Sequence, residues 1–131
     1  MGMPTQRATT VRHRTRLYED AVSIVEHEYD SDLSLDDVAR RVASSRRQLQ
    51  RAFTEVGRTT FRSHLTGVRM HRAAEMLSAR DLTVREVASR VGYRQPAQFA
   101  KAFRRAVGVA PSAYRLDAAH GAASHGLARA A

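Results

Sequence analysis

Apolar residues recur along this chain at intervals of three and four, and no stretch alternates as a half-buried strand does. Leu17, Ala21, Ile24, Val25 and either Glu28 or Tyr29 form a first helical stripe, which ends at the polar cluster Asp30-Ser31-Asp32. Ser34-Leu35-Asp36-Asp37 is a start signal for a short helix carrying Val38, Ala39 and Val42. A tight turn at Ala43-Ser44 leads to a second helix. There Ser45 with Gln48 makes a capping box, Leu49, Ala52, Phe53 and Val56 face inward, and Gly57 is expected to stop the helix. Phe61, Leu65, Val68, Ala73, Met76 and Leu77 then sustain one stripe over about 18 residues, a helix of roughly 27 Å.

The pattern then restarts. Leu82 to Gly92 (LTVREVASRVG) repeats Leu33 to Ala43 (LSLDDVARRVA) position for position, with Thr83 and Glu86 remaking the capping box. Pro96 is well placed to open the next helix, which buries Phe99, Ala102, Phe103 and Val107 before Gly108, so that the pairs Leu49, Phe53 and Phe99, Phe103 are equivalent. An internal repeat of helix, turn and helix, joined by one long helix, predicts an all-α fold of two helix-turn-helix subdomains. The expected boundaries are 15–60 for the first unit, 61–79 for the linker helix and 80–116 for the second. Residues 1–14 have no core periodicity and are read as a basic arm or a frayed tail without fixed structure. Residues 117–131, small and with glycines at 121 and 126, are read as a disordered tail.

In such a unit the second helix enters the major groove while the first braces it. With Leu49, Phe53 and Val56 inward, the first reading helix turns Arg46, Arg47, Gln50, Arg51 and Thr54 outward. The second turns out Arg94, Gln95, Ala97, Gln98, Ala100, Lys101, Arg104 and Arg105. Arginine reads guanine bidentately, glutamine reads adenine, and a small apolar group suits a thymine methyl. The amides at Ser45 and at Pro96 and Ala97 lie where helix ends hold phosphates. One such face could be merely solvated, but two at equivalent positions of a repeat argue for duplex DNA.

Charge agrees. The chain has 22 basic and 13 acidic side chains, a net +9, and Lys101 is the one lysine. Planar donors in that excess point to an anionic partner. The acids Glu19, Asp20, Glu26, Glu28, Asp30 and Asp32 run without an intervening lysine or arginine, a face turned away from DNA or a protein-docking patch. The absence of cysteine excludes zinc fingers, iron–sulfur sensing, thiol catalysis and disulfide scaffolds. No apolar run approaches the roughly 20 residues that span a bilayer, and no signal-peptide core is present, so a cytoplasmic protein with no membrane partner is expected. His13, His27, His64, His71, His120 and His125 are read as solvated surface residues and not as metal ligands. No phosphate loop, nucleophile elbow or carboxylate pair suggests an enzyme, and no cofactor is expected.

The second half carries a more specific signal. Val87-Ala88, Val91-Gly92-Tyr93, Phe99, Phe103-Arg104, Gly108 and Pro111-Ser112-Ala113-Tyr114-Arg115 resemble the signature of the DNA-binding domain of AraC/XylS-type transcription regulators, and the similarity extends from about Leu33 to Arg115. The resemblance implies a seven-helix, homeodomain-like domain that reads two adjacent major-groove segments as a monomer. It implies base contacts at Arg47, Gln50 and Arg51, and at Pro96, Ala97, Gln98, Ala100 and Lys101, with Gln95 available to join them. Ser45, Arg46, Arg94, Arg104 and Arg105 are left for phosphate contacts. An activator, with RNA polymerase as a candidate partner, is the implied regulatory type, and a sequence-tolerant architectural DNA protein is the rival. Three positions depart from the family pattern: Ala43-Ser44 in place of glycine and an aromatic, Gln95 in place of a small cap, and Gly57 one residue early.

Overall fold

The computed structural model describes residues 3–79 and 81–119 and, among them, seven α-helices and no strand. They are α1 (Met3–Glu28), α2 (Leu35–Arg41), α3 (Arg46–Ala52), α4 (Phe61–Ala79), α5 (Val84–Arg90), α6 (Pro96–Val107) and α7 (Pro111–Ala119), with a π-helical turn at Phe53–Gly57 continuing α3. The chain divides into two compact units. Of the described residues, the first holds those up to Glu28 together with Asp32–Leu65, and the second holds Tyr29–Ser31 with those from Thr66 onward. Helix α4, read from the sequence as a linker, thus gives its first turn to one unit and the remainder to the other.

The short helices begin where their caps dictate. Ser34 accepts the Asp37 amide, Ser45 accepts the Gln48 amide, and Thr83 and Glu86 complete a reciprocal box. In each unit the turn after the bracing helix passes through one left-handed residue, Ala43 (φ 56°) and Gly92 (φ 93°). Ser44 N–H then donates to Ala39 O at 2.8 Å, and Tyr93 N–H to Ala88 O at 2.9 Å. The departure at Ala43-Ser44 therefore leaves the turn's bonding intact.

Two expectations are corrected. The stretch read as an unstructured arm is helical, because α1 begins at Met3 and Arg14, largely buried, pairs with Glu55. Once α1 is anchored there, helix propagates through Ala8–His13 at little cost, with no breaker in the way. At the other end α7 carries Asp117–Ala119, so helix extends into the predicted tail; residues 120–131 lie outside the described residues.

Gly57 does not stop the first reading helix. The left-handed residue is Arg58 (φ 56°), five residues after Phe53 as Gly108 is five after Phe103. The π turn, with Arg58 N–H donating to Phe53 O, keeps the two copies in register. Glycine is required at 57 for space: a Cβ there would lie 2.4 Å from Tyr18 Cε1. That ring is packed edge-on against Phe53 at 5.3 Å and cannot easily move.

In the first unit Leu17, Ala21 and Val25 of α1 pack on α2, α3 and the π turn, burying Val38, Leu49 and Phe53. In the second, Met70, Ala73, Ala74 and Leu77 of α4 meet Val87, Val91, Phe99, Phe103 and Tyr114. Arg69 closes this unit. Its Nε donates to Tyr29 O at 2.7 Å, its terminal nitrogen to Ser31 O at 2.9 Å, and its guanidinium lies 5.6 Å from the Tyr93 ring centre. A Cβ at Gly92 would come within 3.1 Å of that guanidinium.

These placements predict opposite signs at adjacent residues. Gly57→Ala should cost about 1–3 kcal/mol by overpacking. Arg58→Gly removes a left-handed strain of roughly 1–2 kcal/mol and adds about 0.4–1 kcal/mol of unfolded-state entropy, a net gain of about 0–1.6 kcal/mol. Urea denaturation midpoints decide it, and the reverse order would restore Gly57 as the helix stop.

Candidate nucleic-acid interface

Within α3 the helical period divides the outward residues into two rows. Arg47 and Arg51 form the outer one. Arg46 and Gln50, continued by Thr54 of the π turn, form the other and line a cleft of about 550 Å³ together with Thr60, Phe61 and Arg62 at the α4 start and Leu35 of α2. All five of the residues expected to face outward are exposed, as is Ser45. The Ser45 hydroxyl caps the helix at 3.1 Å from Gln48 N. Arg62, in the helix read only as a linker, was not among the expected contacts; its place beside α3 is a product of the fold.

The arginines of this face are partly engaged. Arg46 lies 3.3 Å from Asp36, and Arg51 lies 3.6 Å from Glu55, which also holds Arg14. Exposed pairs of this kind contribute about 0–1 kcal/mol, so both side chains can be drawn away by a stronger anion. Arg47 makes no ion pair with a described residue.

Helix α6 presents a simpler surface. Ala97, Gln98, Lys101, Arg104 and Arg105 occupy one exposed sector, and Arg94 and Gln95 are exposed in the turn before it. No carboxylate occurs in the helix, and its cations make no ion pair with a described residue. Pro96 and Ala100 are half-buried, because they lie one turn apart beside the core-facing Phe103 and Val107. Gln95 stands at the N-cap with no side-chain cap bond, so its carboxamide remains available.

Of the acidic run, Glu28 accepts a two-pronged bond from Arg41, one arm at 2.8 Å, which holds its carboxyl below the ordinary value. Glu19, Asp20, Glu26, Asp30 and Asp32 are exposed. No group of three or more potential metal ligands occurs among the described residues. The histidine expectation fails at one position. His64 is half-buried between Phe53 and Tyr18, at ring separations of 5.8 and 6.5 Å, and its Nε2 is buried with no hydrogen-bond partner in the protein. Its neighbours come from α1 and the π turn, so sequence spacing within α4 could not reveal them. His120 and His125 lie outside the described residues.

Residues 38–117 match the family model described as a helix-turn-helix domain. The chain belongs to the AraC-type helix-turn-helix family. It is 32% identical over 106 residues to the transcriptional activator NphR of a Rhodococcus species, covering 80% of this chain and 31% of that protein. The C-terminal domain of AraT, a response regulator of Geobacillus stearothermophilus, superposes with a TM-score of 0.75 at 34% identity, covering 76% of this chain and 84% of that one. The DNA-binding domain of AdpA, a global transcriptional factor solved with a target DNA, does so with a TM-score of 0.70 at 32% identity, over 76% of this chain and 89% of its own. The AraC-type chain spans between 13% and 37% of the length of several curated relatives it matches. No helix among its described residues is long and apolar enough to cross a membrane.

Burial lowers the His64 pKa, and the Glu26 carboxylate opposes this to a smaller extent. Above about pH 6.5 both folded and unfolded chains hold the imidazole neutral; below it the unfolded chain takes up the proton first, so stability falls on acidification. The stability of His64→Leu relative to wild type should therefore improve between about pH 7.5 and 5.5, measured by urea denaturation. A constant difference across that window would mean that His64 titrates in the fold as it does in the open chain.

Proposed function

We propose that this chain is the sequence-specific DNA-reading domain of a transcription regulator, most plainly an activator, and that α3 and α6 each read a major-groove segment. The observation that carries this is the recurrence of a basic, amide-bearing exposed face at the same place in two copies of one supersecondary unit. In this reading Arg47, Gln50 and Arg51 contact bases from α3. Gln95, Pro96, Ala97, Gln98, Ala100 and Lys101 do so at the start of α6, the half-buried Pro96 and Ala100 from its flank. Ser45, Arg46, Arg94, Arg104 and Arg105 meet phosphates. One chain supplies both reading helices, so a monomer suffices on the site. RNA polymerase would be the partner of an activator, and the cytoplasm the compartment. The activator similarity to NphR supports the regulatory sign, and the AdpA domain with its target DNA supports the ligand class.

The architectural alternative makes phosphate contacts alone, whereas Gln50 and Gln98 suit base edges. Sites selected from a random duplex pool provide the substrate for the test. With six to ten phosphates contacted, binding should fall with salt at a log–log slope of roughly −5 to −9, and a flat response would refute DNA binding. Arg51→Ala and Gln98→Ala should each cost on the order of 1–3 kcal/mol on the selected site and relax preference at different base pairs. Equal loss on all sequences would favour the architectural protein, and loss from one variant only would mean that a single helix reads.

A further inference from the structure

The cleft beside α3 has a one-sided chemistry. Arg46, Gln50 and Thr54 line it at four-residue steps, Thr60 and Arg62 face them from the α4 start, and no carboxylate is among the lining residues. All of these belong to the first unit. Arg62 is exposed and makes no ion pair with a described residue, whereas Arg46 is held only by the solvent-open contact with Asp36. Thr60 Oγ1 accepts the Ser63 amide at 3.0 Å, which leaves its proton free to donate. Two planar guanidinium donors and a hydroxyl lining one cleft are donors of the kind that phosphate oxygens accept.

The position of the cleft selects which phosphate. A major groove about 12 Å wide barely admits a helix of roughly 10–12 Å, so the tip of a reading helix meets base edges while its flanks meet the sugar-phosphate strands. Arg46, Gln50 and Thr54 are such a flank. We propose that the cleft between α3 and the start of α4 clamps one backbone phosphate of the strand beside α3, with Arg62 and Arg46 as charged donors and Thr60 as the hydroxyl donor. This rests on the DNA-reading function above and adds a contact from α4. The clamp helps fix the register of the first unit on the duplex and carries no base information of its own.

The test uses the selected duplex with backbone phosphates replaced one at a time, on each strand, by neutral methylphosphonates. Wild type, Arg62→Ala and Arg62→Lys are titrated on each, and circular dichroism checks the fold. Wild type should lose about 3- to 10-fold at the clamped phosphate. Arg62→Ala should show a similar loss on the unmodified duplex, a salt slope shallower by about 1, unchanged base preference, and no further loss at that one phosphate. Arg62→Lys should recover part of the affinity. Binding by Arg62→Ala equal to wild type, or losses at every phosphate that remain those of wild type, overturns the clamp while leaving the DNA reading intact. Saturable binding of inorganic phosphate or a mononucleotide to the DNA-free protein, lost in Arg62→Ala, also overturns it by assigning the cleft to a soluble ligand. A wild type with no site preference sinks the DNA reading and the clamp together.

Discussion

Between each bracing helix and its reading helix the chain has to reverse within four or five residues while satisfying the carbonyls that a helix end leaves open. The Ser44 amide reaches Ala39 O, and the Tyr93 amide reaches Ala88 O, only because the residue between takes a left-handed conformation. Everything on the reading face depends on this reversal. It directs α3 and α6 so that Leu49 and Phe53, or Phe99 and Phe103, fall into the core of their own unit. Their polar neighbours are then forced outward by the helical period alone. Glycine tolerates that conformation at position 92, and alanine accepts some strain for it at position 43.

The features legible in the sequence were those whose causes are local. Ser34, Ser45 and Thr83 announce α2, α3 and α5 through bonds three residues long, and Pro96 opens α6 without any tertiary help. The outward faces followed from the same short-range period. What was missed depends on distant partners. The length of α1 rests on Arg14 meeting Glu55, and the confinement of His64 rests on rings from α1 and the π turn. Gly57 looked like a helix stop because glycine has two common uses, a left-handed backbone and a close approach, and only the position of Tyr18 distinguishes them. Arg62 carried no signal of its own, since a single arginine in a linker helix is ordinary until α3 is beside it.

The two reading faces also differ in electrostatic preparation. On α3 two of the exposed arginines already have carboxylates within 4 Å, which in the proposed function an incoming phosphate or base would displace. On α6 the exposed cations have no such partner among the described residues. The second unit therefore offers the stronger field at a distance, and the first offers contacts that form by exchange.

The Arg69 contacts bear on how this molecule can be divided. Both of its carbonyl acceptors come from Tyr29–Ser31, which precede the whole first helix-turn-helix in the chain. Cutting the polypeptide between the repeats would leave the C-terminal fragment without those carbonyls, with a guanidinium near Gly92 and Tyr93 that has lost its acceptors. The repeat is symmetric in its elements but not in its ownership of residues. In modular terms the second unit is encoded in two pieces, and any dissection, permutation or chimera that respects only the visible repeat would sever it.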